Sequence, residues 1–558
     1  MFKPVFVDDE LVFWASNKAH MDDTGGSVAG GYNPLAEDMY AEGLRMPPLR
    51  IHERGIPNRD VIDLIVGSVR TGTQQRNDMG AQFVALSIAE RNLVALVSRY
   101  GRGTVDAAVE RILDIGEQNM REAISSMTDG VYEGSSPVED DGRSGELTIE
   151  SRIEIEGERM RVAISSPPQV RSYINSYWAN TLSSVYYGVL MYAAIPVPYN
   201  EGLYRPIEVD LGPAGTLTNA SYPAACGAAT TTAGDNIADA VRVALCKTSP
   251  ERAVAGWSHC AGTNQVGVDP RTGEHYTFNM IIGTGGGGGA TWGLDGWHCV
   301  NTAAGAGGIL AGDVELLEHE FPVQIHRYEL RADSAGAGRW RGGLGPVFEL
   351  EVLDHDADLV LWGVGTKYPP VGLLGAASSG GEVKLARRYL IADGRETELP
   401  PHGIVPISAG QRLRTCPAGG GGVGSALERE LESVVADVAN GLVSVDAARE
   451  EYGVVVDPDT LTLDTDRTQA LRLELTAGRG GRWPTGSAST SEGHSPTSSS
   501  SMTPGRFACT RWARRLRSPV RRSPRGSMRS RRRSVSPAAS CLAGATSSSR
   551  GRRSPSTR

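Results

Sequence analysis

The stretch Gly145-Glu146-Leu147-Thr148-Ile149-Glu150-Ser151-Arg152-Ile153-Glu154-Ile155-Glu156-Gly157-Glu158-Arg159-Met160-Arg161-Val162 alternates apolar and polar residues. Leu147 and Ile149, then Ile153 and Ile155, stand two apart, the period of strands with one buried face. Upstream the period changes. Between Asn77 and Ile124, Phe83, Val84, Leu86, Ile88, Leu93, Val94 and Val97 follow helical spacing, and Tyr100-Gly101-Arg102-Gly103 divides the segment into two amphipathic helices. Downstream, Pro322 to Leu330 and Val347 to Leu353 read as strands around a glycine-rich turn. Ala426 to Asn440 and Ser444 to Tyr452 read as a final helical pair separated by Gly441, with Ser444 as N-cap of the second. These elements predict a mixed α+β fold with extensive antiparallel sheet and helical layers near 78–124 and 426–452.

The chain has 558 residues and 40% apolar content, ample for large buried cores. Its net charge of −9 is the difference of two unlike parts. From Arg482 onward there are 17 arginines, no lysine and one acid, Glu492, giving +16; the preceding residues carry −25. With 20 serines and almost no apolar period, residues 482–558 are expected to be disordered, beside a folded body spanning 1–481. The abrupt switch to Arg, Ser, Pro, Gly and Ala reads as a GC-rich coding region translated out of frame, so no nucleic-acid partner is expected. No run of about 18 uncharged apolar residues occurs, and the most apolar stretch, Val185 to Pro198, is interrupted by tyrosines, Gly188 and two prolines, so no membrane association is expected. The N-terminus has no basic and apolar signal pattern, and the seven cysteines form no Cys-x-x-Cys pair. A reducing, cytoplasmic setting follows.

Three clusters hold residues with chemistry. Lys18 to Gly26, after the apparent strand Leu11 to Ala15, places His20 and Asp23 three apart in a glycine-bent turn. An imidazole and a carboxylate so held are candidate ligands for a divalent cation such as Mn²⁺ or Zn²⁺, although such a pair is more often a capping or hydrogen-bonding one. Asn200-Glu201-Gly202, with Arg205 and Asn219 following, offers Glu201 as a candidate acid or base and Asn200 and Asn219 as candidate substrate-binding amides. Gly283 to Gly289, with Trp292, Asp295 and His298 behind, could cradle an anion. No phosphate-loop motif exists; Gly363-Val364-Gly365-Thr366-Lys367 is the nearest approach, so no nucleotide-binding residue is assigned.

Several segments in order resemble the hydantoinase B / oxoprolinase family. They are Pro4-Val5-Phe6 with Lys18 to Gly26, Glu42-Gly43-Leu44-Arg45-Met46-Pro47-Pro48, Asp78 to Gln82 and Asn200 to Pro206. Tyr328 to Arg331 running on to Arg341-Gly342-Gly343-Leu344-Gly345, Gly419 to Gly424, and Gly441 to Ser444 complete the set. The resemblance implies a subunit of an ATP-dependent hydrolase of cyclic amides, working in a hetero-oligomer with a hydantoinase A-type ATPase subunit. That partner binds ATP and phosphorylates the small-molecule substrate, and this chain completes the hydrolysis. It also implies that His20 and Asp23 are metal ligands; it names no third, for which His52 and His298 are available.

Three departures accompany the resemblance. The chain starts after a segment of pattern Asn-Asp-Pro-Tyr-x-Gly-Gly-Thr-His, Met21 and Gly80 replace a family histidine and arginine, and the basic tail replaces the ordinary C-terminus. Two alternatives therefore stand beside the hydrolase: a subunit of an ATP-dependent ketone carboxylase, suggested by the Trp292 to Cys299 segment, and an inactive fragment.

Overall fold

The computed structural model describes residues 1–479 except 140, 197, 306–308, 310 and 377–384. The boundary expected at 481 and the tail 482–558 lie outside the described residues. The chain opens with an antiparallel hairpin, β1 (Phe2–Val7) and β2 (Glu10–Ser16), and a short ribbon, β3 (His52–Glu53) and β4 (Ile56–Pro57). Helices α1 (Arg59–Gly67), α2 (Gly72–Tyr100) and α3 (Arg102–Ser125) follow. The break expected after Tyr100 is real: Gly101 sits at φ 80°, a conformation in which a Cβ would be strained. Among the described residues α2 alone is long and apolar enough to cross a bilayer, by length and composition, although it carries no uninterrupted apolar run. One face of it lies on the hairpin, where Leu86 packs with Val5 and Ala15, Lys3 pairs with Glu90 at 2.7 Å, and Asn17 Nδ2 donates to Gln82 O at 2.8 Å.

The alternating stretch Gly145 to Val162 forms β6 and opens β7 of a four-stranded sheet: β5 (Gly130–Val138), β6 (Leu147–Glu156), β7 (Arg159–Ser165) and β8 (Ile207–Asp210), paired in that order, antiparallel but for β7–β8. Leu147, Ile149, Ile153 and Ile155 all face inward, as their spacing requires. They pack with α4 (Trp178–Ala193) and α5 (Ala233–Leu245) into the first core. Fully burying each such Ile contributes about 1.5–3 kcal/mol.

Beyond α5 the chain builds two antiparallel sheets from β9 (Thr263–Val268), β10 (His275–Asn279), β11 (Val323–Leu330), β12 (Pro346–Val352), β13 (Ala357–Leu361), β14 (Arg387–Ala392), β15 (Arg395–Glu398), β16 (Gly403–Ile407) and β17 (Arg412–Cys416). The orders are β10-β9-β13-β16 and β11-β12-β17-β14-β15. The short helices α6 (Ile281–Thr284) and α7 (Val314–Glu320) join them. Between the sheets Phe278, Leu359, Leu361 and Ile407 meet Phe348, Leu350 and Leu413 in the second core. On the opposite face of β13, Val360 belongs to the first core together with Trp362. One strand of period two therefore joins both cores.

The glycine runs form a layer of their own. Gly343 N donates to Gly288 O and Gly420 N to Gly343 O, both at 2.8 Å. A Cβ on Gly343 would lie 1.8 Å from Trp297 O, and one on Gly420 2.0 Å from Gly288 O, so only glycine permits backbones this close. Helices α8 (Leu431–Ala439), α9 (Val445–Glu450) and α10 (Thr465–Arg479) close the body. Ser444 caps α9, its Oγ accepting from Ala447 N at 3.0 Å. Asp295 anchors this layer by accepting two bonds from the Arg429 guanidinium at 2.7 Å each.

Candidate active site

The turn after β2 lies against the sheet β10-β9-β13-β16. Asp23 is fully buried there. Its carboxylate accepts from Arg70 N at 2.7 Å, Gly25 N at 3.2 Å and Gly30 N at 3.4 Å, and the Arg70 guanidinium stands at 3.3 Å. Arg70 also donates to Gly26 O at 3.0 Å. The cation that faces Asp23 is thus a guanidinium of this chain. His20 points elsewhere, its Nε2 3.2 Å from Tyr32 Oη, while the Tyr32 ring stacks on Trp362 at 3.7 Å. Among the described residues no three His, Cys, Asp or Glu side chains converge to hold a metal ion. As arranged, His20 and Asp23 do not fit a divalent cation.

The third-ligand candidates make contacts of their own. His52 stacks on Phe83 at 3.7 Å, and burial together with the Lys3 charge holds its pKa low. His298 accepts from Leu344 N through Nδ1 at 2.8 Å, and burial, then Arg341, lowers its pKa.

A carboxyl that spacing did not single out stands beside His20. Asp22 is half-buried; burial, then the charges of Asp78 and Glu320, push its pKa up, while His20 and a hydrogen bond from Gln74 pull it back. An acid so poised beside an imidazole can hold or move a proton. Next to this turn, a groove of about 500 Å³ runs between Ser27 to Ala29, Arg70 and the strands β9, β10, β13 and β16. Its size suits a small-molecule ligand.

The second cluster is tied into local turns. Asn200 Oδ1 accepts from Gly202 N at 2.9 Å, capping a 3₁₀ turn, Glu201–Tyr204. Glu201 is exposed, and Arg205 pairs with Asp114 and Glu117 of α3 at 3.3 and 3.2 Å. Asn219 Nδ2 donates to Gly212 O at 2.9 Å, closing its own loop. These contacts do not bring Glu201, Asn200 or Asn219 to the His20 turn.

The glycine run does not offer a free cradle. The amides of Gly287, Gly288 and Ala290 donate to Ala418 O, Trp297 O and Gly421 O. The anion nest lies instead at the element that came nearest to a phosphate loop, and it holds the chain's own carboxylate. Glu139, just past β5, accepts from the amides of Gly365, Thr366, Lys367 and Tyr368 at 2.8 to 3.1 Å and from Thr366 Oγ1 at 2.8 Å. The resembling Glu42 to Pro48 element works similarly: Glu42 accepts from Cys226 N at 2.7 Å, and Arg45 lies 4.4 Å over the Tyr222 ring. Burial raises the Glu42 carboxyl and, with Glu42 beside it, pushes the Cys226 thiol up to about 12.

Deep in the first core, α5 carries Asp235, Asp239 and Arg242 at helical spacing. Asp239 bonds His259 Nε2 at 2.8 Å and pairs with Arg242. Asp235 accepts from Tyr187 at 3.2 Å, and burial pushes its pKa up to about 6.

The chain matches the hydantoinase B/oxoprolinase family profile over residues 1–426, and it belongs to that family. It is 44% identical over 475 residues to the beta chain of the caprolactamase of Pseudomonas jessenii, covering 85% of this chain and 82% of that one. It is 30% identical to the B component of a putative D-/L-hydantoinase of a Pseudomonas species, covering 84% and 80%. The crystal structure of the ATP-dependent caprolactamase from Pseudomonas jessenii superposes with a TM-score of 0.79 at 42% identity, covering 85% of this chain and 82% of that one. The α+β architecture expected from the periodicities is therefore that of a solved enzyme subunit.

Proposed function

We propose that this chain is the hydrolytic subunit of an ATP-dependent cyclic-amide hydrolase, acting in the cytoplasm with a hydantoinase A-type ATPase subunit. The observation that carries the reading is 44% identity over 85% of the chain to the beta chain of a caprolactamase. Phosphorylating an amide oxygen on the partner gives the amide carbon a good leaving group, and this chain then needs a proton-handling site beside a small groove. Asp22 and His20 supply the first. The groove lined by Arg70 supplies the second. The nest at Gly365 to Tyr368 is filled by Glu139, in keeping with ATP being bound by the partner. The Trp292 to Cys299 segment, which suggested a ketone carboxylase, packs in the glycine layer through Trp297 O and His298 Nδ1.

The test is ATP consumption and product formation by this chain co-expressed with an A-type subunit, using hydantoin, 5-oxoproline and caprolactam. Substrate-stimulated ATP hydrolysis with ring opening, lost in Asp22→Asn and His20→Ala, is expected. An intact complex that opens no cyclic amide, or that carboxylates a ketone, overturns the reading.

A further inference from the structure

The groove beside the His20 turn has a chemical character that bears on substrate choice. On β13 the ladder partners of Asp358 are Val266 and Pro406, and those of Val360 are Asn264 and Ile404. Asp358 and Val360 stand two apart and share one face, so two cross-strand rows, Val266-Asp358-Pro406 and Asn264-Val360-Ile404, lie side by side. Val266, Ile404 and Pro406, from those two rows, give the groove an apolar lining. Asp356 and Asp358, both exposed, line it as well, and neither makes an ion pair among the described residues. Of the basic groups there, Arg70 has its charge matched by buried Asp23, which leaves His275.

An apolar trough with two uncompensated carboxylates repels an anion and accepts a neutral ring. Among cyclic amides the distinction is sharp: 5-oxoproline carries a carboxylate at neutral pH, whereas a simple lactam such as caprolactam carries no charge and offers a run of methylenes. Resting on the hydrolase reading, we infer that this groove is the ring-binding site, and that Asp356 and Asp358 make the enzyme select neutral lactams over anionic cyclic amides.

Binding of caprolactam and of 5-oxoproline to the full-length chain, in complex with its ATPase subunit, is measured by calorimetry and ligand-observed NMR. The comparison uses wild type, Ile404→Trp, and the double variant Asp356→Lys/Asp358→Lys. All three substituted positions are exposed, and thermal melting checks that each variant is folded. Wild type is expected to prefer caprolactam, Ile404→Trp to weaken it at least tenfold, and the double variant to shift the preference toward 5-oxoproline by roughly 10- to 100-fold. Wild type that binds neither compound, a folded Ile404→Trp that binds caprolactam normally, or an unchanged preference in the lysine variant overturns the inference. Turnover separates the two readings. Ring opening that persists while these binding effects are absent removes the groove and leaves the hydrolase; binding as expected without ring opening by the intact complex removes the hydrolase.

Discussion

The carboxylate of Glu139 sits inside the loop that begins at Gly365, accepting from that residue's amide at 2.8 Å and from the three amides after it. This joins the end of β5, in the first core, to the turn beyond β13, which borders both cores. Glu139 is only 3% exposed, so removing it leaves a buried Gly365 amide and three partly buried ones without their shared acceptor. Glu139→Ala is expected to cost about 3–5 kcal/mol in urea unfolding. A loss below about 1 kcal/mol would show that the nest is not a structural tie.

Asp23 and Arg70 form the second such tie. Because Asp23 keeps three amide donors when the guanidinium is removed, Arg70→Ala should cost about 1–3 kcal/mol, less than a bare buried charge would. A double-mutant cycle with Asp23→Asn should return a coupling of about 1–3 kcal/mol. Additive effects would mean that the pair does not act as one unit.

The acid in α5 makes stability depend on pH in an unusual direction. Asp235 is raised to about 6 in the folded protein against 3.8 for an ordinary aspartate, so between these values the folded state binds more protons than the unfolded one. Its contribution to stability therefore falls as pH rises from about 4 to 6. His259, held low chiefly by burial, works in the opposite sense, its contribution being lost as pH drops below 6.5. Urea midpoints for wild type and Asp235→Asn across pH 4–7 separate the two. The difference between the curves should change over pH 4–6 and flatten above, and parallel curves would refute the assignment.

Gly80 lies within α2, where a Cβ would meet nothing within 4 Å. Gly80→Ala should stabilise the protein by about 0.5–1 kcal/mol, because alanine loses less backbone freedom on entering a helix. Thermal unfolding checks the sign. Destabilisation would mean that backbone freedom does not decide the effect at this position.

Much of this architecture is local in origin and legible in the order of residues. The alternation from Leu147 to Ile155, the helical spacing on either side of Gly101 and the Ser444 cap are each set by neighbours a few residues away. The capping roles of Asn200 and Asn219 are equally local. Side-chain amides bonding a backbone group two or a few residues off are a common turn device. The family's ordered elements pointed to the His20 turn for the same reason.

What the turn does was decided elsewhere. Asp23 meets Arg70 from 47 positions away, Glu139 meets Gly365 from 226, and the charged lining of the groove arises only when β13 lies between β9 and β16. Period and propensity act over a few residues. Which carboxylate finds a guanidinium, which finds a ring of amides and which is left facing a groove depends on how the sheets pack, and packing joins residues that the sequence keeps far apart.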